Sequence, residues 1–466
     1  MQKAIKGFRF FIIGCFVLYA IYLIYFVVWR APVLNRKGAN PRPWILESRI
    51  QRGGIFARGG EKIAESLPVG EHFTRKYYYG RIYAQITGYE SKRLGKTGLE
   101  SSYDDQLLGL KGSLKKSLEV RWGVRGIRGN DLYLTVDHQL QLKAWDLLSP
   151  YTGAAVVLNP KNGEILALVS SPSFDPDPLY LEKNWETVKR EPGRPLVNRA
   201  TVGLYPPGSI LKIVTAAAGL KKFPGLEDSV YDCRGEIKIH GRILKDLRSH
   251  GLVDLKRALA VSCNSYFANL GLRLGAGDFA DGLAAFGWGQ DYALEVPTQT
   301  IPLPRESFSK PEGLAEAAIG QGKIVVSPLF MAMVAGAIGN DGVMMKPYLV
   351  REIRSHEGSV IWKAQPQIFR LAVSPEIAAK VRDAMIEVVR NGTGTAAALP
   401  GIEVAGKTGS AENPTGKTHA WFVAFAPARD PQVVVSVIIE HGGQGGRAAA
   451  PIARELMRTA LARRGL

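Results

Sequence analysis

The chain has few of the residues that build metal centres and disulfide scaffolds. Its 466 residues include three cysteines, Cys15, Cys233 and Cys263. They form no C-x-x-C pair and no zinc-like spacing, so the sequence predicts no metal site. Whether Cys233 and Cys263 pair is left open. The seven histidines make no H-E-x-x-H pattern and read as ordinary core or surface residues. Repeats with a period of about 20–50 residues and low-complexity tracts are both missing, which excludes solenoids and compositional linkers. An arginine-rich run and interleaved aromatic and basic residues are missing too. No nucleic-acid partner is therefore expected, despite a net charge of +18.

Acidic residues are scarce in one region only. Residues 1–130 carry 23 Lys and Arg against 9 Asp and Glu, whereas the remainder carries 37 against 33. The basic excess borders a long apolar run, a placement that suits anionic lipid head groups. Hydrophobic residues make up 46% and charged residues 22%, ordinary globular usage on a length that fits two or three domains.

Phe10 to Trp29 contains no charged side chain. As a helix it spans roughly 30 Å, one bilayer core. Tyr19, Tyr22, Tyr25 and Trp29 populate its second half, as at a membrane interface. Val27-Val28-Trp29-Arg30 is unlike the small-residue end of a cleaved leader, so the sequence predicts an uncleaved signal anchor over 10–29, behind a cytoplasmic segment of residues 1–9. Both flanks are basic, with Lys3, Lys6 and Arg9 before and Arg30, Arg36 and Lys37 after. Charge therefore does not fix orientation.

Residues 30–130 read as a basic region of short mixed elements, and 131–466 as one large α/β domain. Leu132–Val136 reads as a strand, Asp137 as the cap of a helix, and 154–158 with 165–169 as a hairpin closed by Asn159-Pro-Lys-Asn-Gly163. Further β-runs lie at 402–405, 420–425 and 433–439, and a last helix at 451–463. Helices are predicted over 209–220, 254–274, 312–319, 327–340 and 375–391. Strands at both ends with helices between suggest one sheet closed by the termini.

Three short elements carry chemistry. In Pro206-Pro-Gly-Ser209-Ile-Leu-Lys212 a turn delivers Ser209 to the start of an apolar helix, with Lys212 one turn on. Helix N-termini favour negative charge, and a desolvated, neutral lysine can accept a serine proton. Ser113-Leu-Lys-Lys116 and Ser307-Phe-Ser-Lys310 have the same pattern in polar surroundings and are expected to be structural. Ser262-Cys-Asn264 is the sole S-x-N, a pair that elsewhere often caps helices. Lys407-Thr408-Gly409, before Ser410, places a cation and a hydroxyl on a strand. A second K-T-G at Lys96 precedes every credible S-x-x-K and is out of order. The separations between the three elements are 53 and 145 residues.

In that order the motifs are those of penicillin-binding proteins and serine β-lactamases. The chain resembles class B penicillin-binding proteins, which are monofunctional peptidoglycan transpeptidases. Arg52-Gly-Gly-Ile55 resembles their R-G-x-I element. It continues Ala57-Arg-Gly-Gly60 rather than D-R-N-G, as in the short branch of penicillin-binding protein A. Tyr79-Gly80, Gly88-Tyr89 and Gly98-Leu-Glu-Ser-Ser-Tyr-Asp104 resemble pedestal motifs. Gly320-Gln-Gly322, Asn340-Asp-Gly342 and His419-Ala-Trp-Phe422 resemble landmarks of the catalytic domain. The resemblance implies an antiparallel sheet flanked by helices, as in serine β-lactamases, above a mixed, dimerisation-like pedestal.

By the same resemblance, Ser209 would be acylated and Lys212 would be its base. Ser262 would relay protons between Lys212 and Lys407, and Asn264 would hold the substrate amide. Thr408, Gly409 and Ser410 would line the cleft, and the backbone N–H groups of Ser209 and Ser410 would form the oxyanion hole. No metal or organic cofactor is implied. The partners implied are D-Ala-D-Ala stem peptides, β-lactams, the bacterial cell membrane and a polytopic peptidoglycan glycosyltransferase, with the catalytic domain extracytoplasmic. A D,D-carboxypeptidase, a class D-like β-lactamase and a non-catalytic β-lactam sensor or scaffold remain alternatives. The anchored basic region and the nine residues before the anchor disfavour them.

Overall fold

The computed structural model describes residues 2–30, 47–110, 127–413 and 416–465. The Ser113–Lys116 pattern lies outside the described residues. Helix α1, Gln2–Tyr25, continues into a π-helical turn, Phe26–Arg30. It starts before Phe10, where the uncharged run begins, because Lys and Arg are good helix formers. None of its apolar window is buried by the protein, and an uninterrupted apolar surface of this length suits lipid.

Strands β1 (Ile55–Phe56), β2 (Lys62–Val69) and β3 (His72–Tyr77) follow. The pedestal motifs meet beside them. Glu100, fully buried, lies 2.6 Å from both Arg52 Nε and Arg75 Nε. Lys96 of the out-of-order K-T-G contacts Glu47 and Asp104, so it is part of this ionic cluster.

Strand β4 (Asp131–Leu134) pairs in parallel with β1. Helix α2 (His138–Leu148) starts where Asp137 accepts a hydrogen bond from the Leu140 N–H, as its sequence predicts. Strands β5 (Gly153–Leu158) and β6 (Ile165–Ser171) form the expected hairpin. Helix α3 (Pro178–Arg190) was not anticipated. It buries only Leu181 and Val188, too few apolar positions to leave a strong periodic signal.

Helix α4 (Lys212–Lys222) is preceded by a four-residue 3₁₀ turn, Gly208–Leu211. Two small ladders come next: β7 (Tyr231–Cys233) with β10 (Gly251–Val253), and β8 (Glu236–Ile239) with β9 (Arg242–Lys245). The single helix predicted over 254–274 is two, α5 (Leu255–Ala260) and α6 (Asn264–Ala285), the second kinked at Gly275. The break falls at Ser262, whose φ is +60°. Apolar spacing runs through that position and gives no sign of a left-handed residue.

Helices α7 (Pro311–Ala318), α8 (Pro328–Gly339) and α9 (Pro375–Asn391) match the predicted ones within a few residues. Between α8 and α9, β11 (Val350–Arg354) and β12 (Val360–Lys363) return to the pedestal side. The chain ends with β13 (Ala405–Ala411), β14 (His419–Ala426), β15 (Val433–Ile439) and α10 (Gly445–Ala462). The expected β-run at 402–405 starts later and carries the K-T-G itself.

Two sheets organise these strands. One has the order β12-β11-β4-β1-β2-β3, so strands from beyond residue 130 complete the pedestal sheet. The other is wholly antiparallel, β13-β14-β15-β5-β6, with β13 at its edge. Its strands are buried on both faces, between α8 on one side and α2 with α10 on the other. The β5–β6 hairpin and the last three strands share one sheet, as the pattern of runs predicts, but the first predicted strand of that region, Leu132–Val136, lies in the pedestal sheet as β4.

Candidate active site

Ser209 lies on the 3₁₀ turn and Lys212 opens α4. In 3₁₀ geometry residues i and i+3 eclipse, so both side chains leave the turn on one side. Gly208, at φ +55°, brings the turn against β13: a Cβ there would sit 2.9 Å from Ser410 O. A Cβ on Gly409 would meet Pro207 O at 3.0 Å. From behind, Gly320 O accepts the Gly208 N–H at 2.8 Å, and Trp421 Nε1 donates to Pro206 O at 3.0 Å. The main chains of Ser209 and Ser410 are thereby held side by side.

Lys212 is fully buried. Its Nζ donates to Asn264 Oδ1 at 2.7 Å, Ser262 O at 2.8 Å and Ser262 Oγ at 3.3 Å. Lys407, also fully buried, donates from Nζ to Ser262 Oγ at 2.9 Å and Thr408 O at 3.0 Å. One hydroxyl therefore bridges two amines. The left-handed backbone of Ser262 is what points it between them. Burial pulls the Lys212 ammonium down to about 8, against the opposing pull of Cys263 and Asp246. Burial, reinforced by Lys212, pushes Lys407 well below the ordinary lysine range. Among the described residues the Ser209 hydroxyl has no hydrogen-bond partner, so in this arrangement Lys212 is bonded to the S-x-N turn rather than to Ser209.

The remaining motif residues divide. Thr408 Oγ1 lies 2.6 Å from Thr393 Oγ1. Ser410 is exposed, and its Oγ accepts the Gly445 N–H at 3.4 Å. Gly409 is enclosed by the protein on both sides, by Pro207 and by Gly445. The close approach it permits is thus that of the serine turn. Ser307 of the remaining S-x-x-K donates to Pro304 O, and Lys310 is exposed. It is remote from these groups in role and surroundings.

The sequence reading missed Asp246. Its carboxylate accepts from the Asn264 N–H and from both the N–H and hydroxyl of Ser265, and Lys245 O accepts from Asn264 Nδ2 at 2.8 Å. No pattern around Lys245-Asp246-Leu247 announces this. The cysteines and histidines have no metal-like spacing in sequence. In space, however, Cys233, Asp246, His250 and Cys263 converge with all four donor atoms within 4.8 Å of one another. Cys233 and Cys263 are free thiols.

Residues 153–458 match the penicillin binding protein transpeptidase domain, and residues 52–119 match the penicillin binding protein A dimerisation domain. The chain belongs to the penicillin-binding transpeptidase family. It is 35% identical to the peptidoglycan D,D-transpeptidase PbpA of Mycolicibacterium smegmatis, over 93% of this chain and 94% of the relative. Identity to the PbpA of Mycobacterium tuberculosis is also 35%, with the same coverage. Among solved structures, penicillin-binding protein A from M. tuberculosis, as a ceftriaxone acyl-enzyme complex, superposes with TM-score 0.82 at 34% identity. The match covers 89% of this chain and 99% of that one. A D,D-transpeptidase domain from Eggerthella lenta matches equally, with TM-score 0.82, 34% identity and coverage of 90% and 99%.

Proposed function

We propose that this penicillin-binding transpeptidase is a membrane-anchored peptidoglycan D,D-transpeptidase that is acylated on Ser209. The observation that carries this reading is the pair of buried amines, Lys212 and Lys407, joined through Ser262 beside the serine turn. Two like charges in one dry site favour the neutral form of at least one amine, and a neutral amine is what a serine nucleophile needs.

In this reading Lys212 Nζ turns from Asn264 towards Ser209 and takes its proton as Oγ attacks the D-Ala-D-Ala carbonyl. The oxyanion gathers the N–H groups of Ser209 and Ser410. Collapse releases D-alanine, whose nitrogen takes a proton passed from Lys212 through Ser262. An amine of a second stem peptide then attacks the acyl-serine, giving a cross-link and restoring the hydroxyl. Asn264, Thr408 and Ser410 position the donor peptide, and β-lactams acylate the same serine.

The exposed apolar helix α1 supports a single-pass anchor in the bacterial cell membrane, with the catalytic domain outside the cytoplasm. The basic pedestal beside it suits a polytopic glycosyltransferase partner. Fluorescent penicillin should label the wild type covalently and Ser209→Ala not at all. Incubation with a donor stem peptide and an acceptor amine should yield the cross-linked product. Hydrolysed donor alone would instead identify a carboxypeptidase.

A further inference from the structure

The serine turn stands against β13 on one side, through Gly208 and Gly409. The residues that lead into it are held from elsewhere. The Tyr205 N–H donates to Val326 O at 3.0 Å, and Tyr205 O accepts the Val326 N–H at 2.9 Å. Its main chain is therefore tied before the turn begins. Its ring lies edge-on to His419 at 5.6 Å and to Trp421 at 6.2 Å, and Trp421 in turn holds Pro206 O. Gly203 packs against the same ring: a Cβ there would meet Tyr205 Cε2 at 2.6 Å.

The far end of the ring is fixed by a charge. The Tyr205 hydroxyl donates to Glu440 Oε1 at 2.7 Å, and Arg199 Nε donates to the same oxygen at 2.7 Å. Glu440 stands directly after β15, with its own N–H on Thr152 O at 2.7 Å. The Arg199 side chain is 6% exposed. Its other nitrogens donate to Gly193 O at 2.7 Å and Arg194 O at 3.3 Å, and its main-chain N–H donates to Ser170 Oγ of β6 at 2.9 Å. A connected path runs from β6 through Arg199, Glu440 and Tyr205 to the serine turn. Strands β6 and β13 are opposite ends of one sheet, so the turn is gripped from both.

The chemistry of the path is one-directional. Arg199 is a permanent cation. Burial, with Glu440 beside it, holds the Tyr205 phenol well above its ordinary range, so the phenol stays a donor. A hydroxyl bonded to a carboxylate forms a charge-assisted bond, stronger than a neutral one. The ion pair of Arg199 and Glu440 would join β6 to β15 without the phenol. The phenol is what brings the serine turn into the path.

We propose that Glu440 is a positioning residue for the acylation of Ser209 and acts through the Tyr205 hydroxyl. The proposal rests on the reading that Ser209 is acylated. An oxyanion hole works when its donors aim at one developing charge. Here one donor belongs to the serine turn and the other to β13, so their spacing depends on where the turn stands against the strand. The Gly208 and Gly409 contacts set how closely the two approach. Tyr205, drawn by Glu440, sets how far the turn can retreat. Glu440 touches no reacting atom and moves no proton.

The test is stopped-flow acylation of the full chain in detergent over a range of penicillin concentrations. It separates the binding constant K from the acylation rate constant k2. Both are read per acylable site, counted by titration, so unfolded chain does not enter. Tyr205→Phe should lower k2 about tenfold and leave K within about twofold, because a small misplacement acts on the transition state. Glu440→Ala should do the same. Glu440→Gln keeps an oxygen for the phenol and should restore k2 to within about threefold of the wild type. The double variant Tyr205→Phe, Glu440→Ala should be no more than about twofold slower than the slower single one, because both cut the same link. Unchanged k2 in Tyr205→Phe overturns the proposal, even where the unfolding midpoint falls, since that marks a purely structural ion pair. Losses that multiply in the double variant overturn it too, as does a loss in K alone. If Glu440→Ala does not fold, Tyr205→Phe and Glu440→Gln decide alone. Labelling of Ser209→Ala would sink the acylation reading itself; unchanged k2 in Tyr205→Phe, with Ser209→Ala unlabelled, sinks only this inference.

Discussion

In the proposed acylation Lys212 is the base, and its protonation sets the pH dependence. A base must be neutral, and burial places this amine near 8. The second-order rate of acylation by a penicillin should therefore rise about tenfold per pH unit below that point and flatten above it. Stopped-flow titration between about pH 6 and 10 checks the sign: a rate that falls as pH rises contradicts a lysine base. Ser262 offers a cleaner variant than most. Its left-handed backbone costs about 1 kcal/mol, which glycine does not incur, while glycine returns a similar amount through the unfolded chain. Ser262→Gly should change stability by less than about 1 kcal/mol yet lower acylation by roughly 10²-fold or more, read by thermal unfolding beside labelling kinetics. Of these residues, Ser209, Lys212, Ser262, Asn264 and Lys407 were legible because their chemistry is tied to fixed short spacings. Asp246 and Thr393 were not, because they reach the site from loops with no spacing relation to it.

Elements were legible to the extent that they bury a regular face. Helices α8 and α9 and strands β5, β6, β14 and β15 stand out by apolar pattern and have boundaries close to those predicted. Helix α3 and the ladders of residues 231–253 bury little and were missed. The break between α5 and α6 is a backbone event, and side-chain periodicity cannot report it. The 3₁₀ turn before α4 depends on an element far away in sequence. Gly320 has φ +82°, and a Cβ there would lie 1.9 Å from Gly208 O. Gly320→Ala should destabilise the protein by at least about 2 kcal/mol and displace the Ser209 turn. The checks are a lower unfolding midpoint and slower penicillin labelling in the fraction that remains folded.

At the scale of the molecule, pedestal and catalytic region share a sheet and a core. Strand β4 joins β1 to β11 within a single sheet. Arg58 pairs with Glu164 at 2.7 Å, Asn198 Nδ2 donates to Gln85 O at 3.0 Å, and one hydrophobic core contains residues from both regions. Calorimetry should show one unfolding transition for the two. Within the pedestal, Glu100→Ala would leave Arg75 and part of Arg52 buried without their anion, at a cost of about 3–5 kcal/mol. That loss should move the shared transition rather than create a second one.

Among the described residues strand β13 has a neighbouring strand, β14, on one side only. In the proposed reaction its other margin, exposed at Ser410, offers main-chain donors and acceptors to the donor peptide, the groups by which one extended peptide recognises another. Binding through that margin is strict about backbone shape and indifferent to most side chains. Mutation cannot delete a backbone amide. Any rigid molecule that copies the amide pattern of the natural peptide competes on terms the protein cannot easily alter here, and escape has to come from residues that set access to the strand or its twist.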